Sequence, residues 1–257
     1  MVPADDRLRG SRRILIRLCL VELLKLRRSL VLLTTVACPA AVVALMFGMA
    51  LRRITPDGMT AAQWSMLWGS ASALWSLFML PLYIGLCTAL VNGNEHRNQT
   101  WRLMLSLPVG RLELYAAKAM VSVLLLAAAQ LALLLALALG TGILGLAGFP
   151  LEAALQAQLP RLWAAPLAAL PVVALQHALS WRLRSVVTPL AVSVVATLAA
   201  MQLGASQYWY WLPWAYPVAA SNGGHEAMRD AAVLLGPMLA AVLFPLTAWW
   251  LSRREIA

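Results

Sequence analysis

Few side chains in this sequence have the types and spacing that catalysis requires. His177 beside Gln176 is the nearest approach to a catalytic pair, because a histidine can hold or move a proton near neutral pH. Gly140-Thr-Gly-Ile-Leu-Gly145 matches the dinucleotide motif G-x-G-x-x-G, but it ends an apolar run and no strand precedes it. His225-Glu226 lacks the second histidine of the zinc motif H-E-x-x-H. Only His177 with Gln176 stays a candidate, and we interpret His177 first as an interfacial or helix-packing residue.

Motifs for metal binding and nucleotide hydrolysis are also missing from the sequence. The cysteines, Cys19, Cys38 and Cys87, form neither a disulfide framework nor a C-x-x-C site. The P-loop pattern G-x-x-x-x-G-K-[ST] does not occur. We therefore expect no metal site, no cofactor and no enzymatic activity in this chain.

The composition indicates which elements must position the remaining candidates. Of the 257 residues, 62% are hydrophobic and 12% are charged. Soluble domains have about 45–50% apolar and about 25% charged residues, so an ordinary soluble enzyme is excluded. A net charge of +10 would suggest nucleic acid in a soluble protein. Here the apolar residues fall in runs of about 20, the length that spans a bilayer, and we expect no nucleic-acid partner.

Apolar runs of spanning length predict an all-α polytopic membrane protein with six transmembrane helices, since lipid forces each segment to satisfy its own backbone hydrogen bonds. The runs lie at about 29–51, 64–91, 119–146, 162–180, 186–204 and 231–251. The membrane domain is thus residues 29–251, between a segment 1–28 and a tail 252–257. Prolines within the runs predict kinked helices.

The positions of the basic residues predict the orientation. With the N-terminus inside, only Arg52, Arg53, Arg161 and Arg229 of the 20 lysines and arginines fall in outer segments. Because basic residues concentrate in cytoplasmic segments, we expect the chain to lie in a bacterial inner membrane with both termini in the cytoplasm. Tryptophans near the ends of the runs are interpreted as membrane anchors.

No Asp, Glu, Lys or Arg lies within the six runs. Ion-coupled transporters and intramembrane enzymes need ionisable groups at depth, so both classes are disfavoured. Mild polar residues, such as Thr35, Gln130 and Ser193, predict hydrogen bonds between helices.

Two polar segments on the inner side carry the functional information. In the loop 92–118, Asn92-Gly-Asn94 predicts a helix stop and a new start, and residues 95–107 predict a short helix that ends at Leu107-Pro108. That helix either lies on the lipid or docks a cytoplasmic partner. Segment 1–28 alternates leucines with basic residues, which predicts an amphipathic helix at the anionic inner leaflet.

This arrangement resembles a type-2 ABC exporter permease subunit: an amphipathic elbow helix, six spans, and a short helix between spans two and three. The family's loop pattern of Glu, Thr, Leu-x-Leu-Pro-x-x-Arg and Lys matches Glu95, Thr100, Leu105, Leu107-Pro108, Arg111 and Lys118. The resemblance covers the whole chain in architecture, and the motif covers residues 92–118.

The resemblance implies a permease that does no chemistry itself. It implies two copies of a separate ATPase subunit, which binds ATP and Mg²⁺, and a second permease copy or a paralogue. The implied docking surface comprises Glu95, Arg97, Thr100, Trp101, Arg102, Leu105, Pro108 and Arg111. On the elbow helix, Arg12, Arg13 and Arg17 are expected near Glu95, in partly exposed contacts of about 0–1 kcal/mol each.

The outer loop 205–230 is rich in aromatic residues and predicts a short interfacial or re-entrant helix. It is interpreted either as an interface anchor or as a gate that contacts the substrate. The residues concerned are Trp209, Trp211, Pro213, Trp214, Tyr216 and Pro217. The run L-P-W-x-Y-P at 212–217 resembles permeases associated with immunity to lantibiotics and bacitracin-like peptides.

The sequence therefore predicts a permease that exports an amphipathic, lipid-like or peptide cargo, with a role in antibiotic resistance. Two alternatives stay open. One is a solitary membrane enzyme with its chemistry at His177 and Gln176. The other is an accessory or anchor subunit that recruits a cytoplasmic partner through residues 92–111.

Overall fold

The computed structural model describes residues 4–27, 29–52, 59–97, 110–144, 163–183, 185–204, 206–221 and 226–253; the side chains of 4–13, 94–97 and 144 lie outside this description. The helices are α1 (Ala4–Leu26), α2 (Leu30–Leu51), α3 (Ala61–Leu74), α4 (Leu80–Arg97), α5 (Arg111–Leu144), α6 (Leu170–Arg182), α7 (Val187–Leu203), α8 (Tyr216–Ser221) and α9 (Glu226–Ser252). The described ranges contain no strand, so the all-α prediction is confirmed there.

The N-terminal helix α1 is separate from the first membrane helix. It ends in a turn in which the Ser29 N–H donates to the Leu26 carbonyl at 2.9 Å. Ser29 then caps α2, because its side-chain oxygen accepts the Val31 N–H at 3.3 Å. Along α1, exposed apolar residues such as Leu20 and Leu24 alternate with a buried stripe that packs against α5. The exposed apolar face suits a helix that lies against lipid.

Helices α3 and α4 form one continuous rod through a π-helical turn, Trp75–Met79. Thr60 starts the rod in a capping box with Gln63. The wide turn comes just before Pro81, which has no N–H and whose ring would crowd the carbonyl four residues earlier. A π-turn relieves that crowding without ending the helix. The sequence predicts a kink at this proline, and the structure has the π-helical turn Trp75–Met79 immediately before it.

Four helical stretches are long and apolar enough to cross a membrane within the described residues. They are Leu30–Leu51, Ala61–Gly93, Arg111–Ile143 and Glu226–Ser252. The other two predicted spans coincide with shorter elements: α7, and α6 with the helical turn 163–168 before it. The polytopic membrane class is confirmed, and the count of six spans stays a prediction.

Buried hydrogen bonds join α2, α3, α4 and α5, as their mild polar residues predict. The indole N–H groups of Trp68 and Trp75 donate to Thr141 Oγ1 and Gln130 Oε1, at 2.9 and 3.0 Å. The Thr35 and Tyr83 hydroxyl oxygens lie 2.9 Å apart. These bonds fix the rotation of each helix about its axis.

Close packing brings α7 and α9 against the rest of the bundle. Ser193 on α7 donates to the Pro81 carbonyl at 2.6 Å, and a Cβ placed on Gly85 would lie 2.6 Å from Ser193 Cβ. A Cβ on Gly236 of α9 would lie 2.6 Å from Ala168 Cα. Both glycines are therefore required for the approach of neighbouring backbones.

Candidate functional site

A buried ion pair connects α1 to α5. Glu22 accepts from Lys118 Nζ at 2.6 Å through one carboxylate oxygen and from Lys25 Nζ at 2.6 Å through the other. Lys118 also donates to the Val91 carbonyl of α4 at 3.1 Å. Glu22 is 4% exposed and Lys118 is fully buried. Three helices therefore meet at one ammonium group.

Electrostatics favours the ionised pair. Burial alone would raise the pKa of the Glu22 carboxyl, but the charges and hydrogen bonds of Lys118 and Lys25 outweigh burial and hold that pKa below its ordinary value of 4.5. Burial and the nearby Glu22 charge raise the pKa of the Cys19 thiol, one turn away on α1. Cys19 is thus held as a neutral packing residue.

A second polar group joins α4 and α6 beside the ion pair. The Asn92 amide donates to Ser180 Oγ at 2.7 Å, lies 3.1 Å from the Thr88 carbonyl, and lies 3.1 Å from His177 Nδ1. On its other side, His177 Nε2 lies 3.3 Å from the Tyr115 carbonyl of α5. These distances fit an imidazole that donates from Nε2 and accepts at Nδ1.

The His177 ring is enclosed by aromatic side chains. Its centroid is 4.5 Å from that of Tyr115 and 5.9 Å from that of Trp181. The Tyr115 hydroxyl in turn lies 2.8 Å from the Thr247 hydroxyl of α9. Both ring nitrogens of His177 have hydrogen-bond partners on other helices, and Gln176 is not one of them. The interpretation of His177 as a helix-packing residue is confirmed by these contacts.

The predicted helix stop at Asn92–Asn94 is wrong, because α4 continues through these residues to Arg97. Asn92 is fully buried and bonds to α6, so its amide does not cap a helix end. A Cβ on Gly93 would lie 2.9 Å from Val186 Cγ2, so Gly93 serves a close contact. Residues 92–97 and 111–118 of the predicted loop 92–118 are therefore helical.

The predicted docking residues lie mainly between α4 and α5. Glu95 and Arg97 are on the last turn of α4, and Arg111 is an exposed residue at the start of α5. The other predicted docking residues lie outside the described residues: Thr100, Trp101, Arg102, Leu105 and Pro108. The docking surface stays a prediction.

The predicted contact of the elbow arginines with Glu95 is likewise untested. Arg12, Arg13 and Arg17 are on α1, and the Arg17 side chain is exposed. A different acidic–basic contact of α1 lies within the described residues: the buried Glu22–Lys118 pair. Glu22 was missed, because the amphipathic pattern placed it on the polar face of α1. One signal was present: Glu22 is the lone acidic residue between Asp6 and Asp57.

The aromatic segment at the other end of the bundle divides into two layers. Trp211 is 74% exposed, whereas Trp214 and Tyr216 are buried. Pro213 begins the short 3-10 turn Pro213–Ala215, and Pro217 is buried in α8. The Tyr216 hydroxyl donates to the Tyr210 carbonyl at 2.8 Å.

Trp209 packs on Tyr216 with ring centroids 5.6 Å apart. Anchoring in the interface therefore suits Trp211, while the inner layer holds the segment on the bundle. The interpretation as membrane anchors is wrong for Trp64 and Trp181. Each is 3% exposed, because it packs among neighbouring helices.

Comparison with known proteins decides the family. A family model described as ABC-2 family transporter protein matches residues 18–200. The chain belongs to this family. No curated protein matches the chain. As an ABC-2 family transporter protein, it is the permease component of an ABC transporter, a membrane component that associates with an ABC ATPase.

The residues named above for the ion pair and for the polar group around His177 all lie in the matched range, except Thr247. This range begins in α1, four residues before Glu22, and ends in α7. The outer aromatic segment and α9 follow the matched range. The ABC-2 family assignment thus includes the loop between α4 and α5 and the helices that hold it.

Proposed function

We propose that this chain is the permease subunit of an ATP-driven exporter that moves an amphipathic, lipid-like or peptide cargo outward. Membership of the ABC-2 family supports ATP-driven transport. The apolar character of the long helices supports a cargo that enters from the bilayer, and it disfavours a small ion. The aromatic run at 212–217 supports a more specific proposal, that the cargo is a peptide antibiotic and that the transporter confers immunity to it.

The proposed docking site for the ATPase is the segment between α4 and α5. One observation carries this proposal: the two helices that flank the segment are tied together at its edge. Lys118 of α5 bonds to the Val91 carbonyl of α4 and to Glu22 of α1. Because these contacts are buried, a displacement of the segment moves α1, α4 and α5 as one unit rather than bending a loose loop.

The complete transporter in this proposal contains two permeases, this chain with a second copy or a paralogue, and two ATPases that bind ATP and Mg²⁺. The chain lies in a bacterial inner membrane with both termini in the cytoplasm, as the distribution of basic residues supports. In that orientation the ion pair and the docking segment are at the inner face. The outer aromatic segment then anchors the exit side or gates the cargo.

The solitary-enzyme alternative has little support. His177 is held on both ring nitrogens by Asn92 and the Tyr115 backbone. A general base needs a free nitrogen within reach of a substrate proton. The accessory-subunit alternative shares the docking segment with our proposal, and transport that persists after deletion of this chain would favour it.

Affinity purification from native membranes tests the docking proposal. We expect an ATPase with a P-loop to copurify with the wild-type chain and to be depleted with the double variant Glu95→Ala/Arg102→Ala. A matched control is Arg229→Ala/Asp230→Ala, which removes an exposed acidic–basic pair at the opposite end of the bundle. An ATPase that the docking variant retains would overturn the docking site. Absence of any ATPase would overturn the exporter proposal itself.

A further inference from the structure

An open groove runs between α5 and α9 on the outside of the helix bundle. The volume of the groove is about 630 Å³, which is within the range of volumes of ligand pockets. On α5 it extends from Leu112 to Val123, and on α9 from Phe244 to Ser252. Most of the side chains that line it are alkyl or aromatic, and three of the lining residues are alanines, Ala116, Ala119 and Ala248. The groove therefore suits a hydrocarbon ligand.

The length of the groove matches one leaflet of a bilayer. From Leu112 to Val123, the rise along α5 is about 17 Å at 1.5 Å per residue. The hydrocarbon core of a bilayer is about 30 Å thick, so half of it is about 15 Å. A groove of this length that begins at the helix end accommodates the acyl chains of one lipid molecule.

One end of the groove is basic. A small recess lined by Arg111 adjoins it and shares Leu112, Tyr115, Ala248 and Ser252 with it. Arg253 follows Ser252, and its guanidinium lies 4.2 Å from the ring centroid of Trp249, which lines the groove.

None of the described residues that line the groove or the recess is acidic. Glu113, the nearest acidic residue along α5, accepts the Gly110 N–H at 3.1 Å. This end therefore has the charge that complements a phosphate group, at the depth where a lipid headgroup lies.

We propose that this groove binds an anionic phospholipid, with its acyl chains between α5 and α9 and its phosphate at Arg111 and Arg253. With the termini inside, the lipid belongs to the inner leaflet. The site includes one predicted docking residue, Arg111, and otherwise lies outside the segment between α4 and α5. It does not depend on the identity of the cargo.

Native mass spectrometry of the purified, partly delipidated protein tests this site. The probes are phosphatidylglycerol and phosphatidylcholine with identical acyl chains. We expect the wild-type chain to retain phosphatidylglycerol in preference. Arg111→Gln and Arg253→Gln should each weaken that preference about fivefold, because a basic residue near an anionic lipid surface contributes about that factor. Equal retention of the two lipids by the wild-type chain would overturn the proposal.

Matched variants separate the groove from general lipid contact. Ala116→Phe fills the groove, whereas Ala128→Phe places the same ring on an exposed part of α5, about 18 Å along the helix. We expect Ala116→Phe to lose the retained lipid, and Ala128→Phe and Arg52→Gln to keep it. Equal losses in Ala116→Phe and Ala128→Phe would refute the groove as the site.

Two further measurements keep the test independent of folding and of self-association. Brominated phosphatidylglycerol should quench wild-type fluorescence more than that of Trp249→Phe, since Trp249 lines the groove; equal quenching would contradict the site. An Ala116→Cys variant should not cross-link to itself in native membranes. Efficient cross-linking would mean that a second copy covers the groove, and that result would overturn the lipid proposal.

Discussion

Replacement of Glu22 by glutamine removes the carboxylate that faces the buried Lys118 ammonium. The two groups are 2.6 Å apart, and Glu22 is 4% exposed and Lys118 is 0% exposed. Removal of one partner from a buried ion pair costs about 3–5 kcal/mol, because the other charge stays in a medium of low polarity. We therefore expect Glu22→Gln to lower the melting temperature by roughly 6–20 °C, at about 2–4 °C per kcal/mol for a chain of this size.

A double-mutant cycle attributes this loss to the pair. Lys118→Met alone should cost less, because Lys25 still faces the other Glu22 oxygen at 2.6 Å. The double variant Glu22→Gln/Lys118→Met should be more stable than the sum of the single losses predicts, since it leaves no uncompensated ammonium at Lys118. The interaction energy is the difference between the measured and the additive value.

Thermal unfolding in detergent, followed by intrinsic fluorescence, measures these changes. Trp68 and Trp75 are each 1% exposed, so loss of packing changes their surroundings. Arg229→Gln is the control, because Asp230 in its ion pair is 70% exposed and such pairs contribute about 0–1 kcal/mol. A Glu22→Gln protein as stable as this control would refute the reasoning, as would additive losses in the cycle.

Two further predictions concern packing and pH. Gly236→Ala should destabilise the protein by about 1–3 kcal/mol, because the new Cβ would lie 2.6 Å from Ala168 Cα. Gly48→Ala is the control and should be neutral or stabilising, because a Cβ there meets no atom within 4 Å. The melting temperatures of both variants check this prediction. The pKa of Glu22 in the folded protein lies below its ordinary value of 4.5. The ionised carboxylate therefore stabilises the fold fully above pH 4.5, and this stabilisation is lost as the pH falls through the pKa of the folded state. Between about pH 6 and about pH 3, the melting temperature should fall more in the wild type than in Glu22→Gln.

The long apolar elements could be predicted from the sequence, because lipid leaves few alternatives for a run of 20 apolar residues. The runs at 29–51 and 231–251 coincide closely with α2 and α9. Their ends could not be predicted as well. The third run was placed from residue 119, whereas α5 begins at Arg111, since a helix can continue past its apolar part when buried partners satisfy its polar residues.

The contacts of a polar residue were harder to predict than the helix that contains it. Asn92 and Gly93 have the composition of a helix end, and local propensity favours a stop there. Tertiary contacts decide otherwise, because Asn92 bonds to Ser180, which lies 88 positions away in the sequence. A single sequence contains no information on that pairing. The same limit applies to Glu22 and Lys118, which are 96 positions apart.

The buried pair is a poor device for stability alone, since well-packed apolar residues of similar volume would serve as well or better. Its position suggests a different use. Lys118 bonds to α1 and α4 within two turns of the start of α5, next to the segment at which we propose the ATPase docks. Its hydrogen bonds are directional, so they specify the register of three helices more narrowly than non-directional apolar burial does. If docking moves these helices together, disruption of the pair should reduce cargo transport more than it reduces ATPase binding.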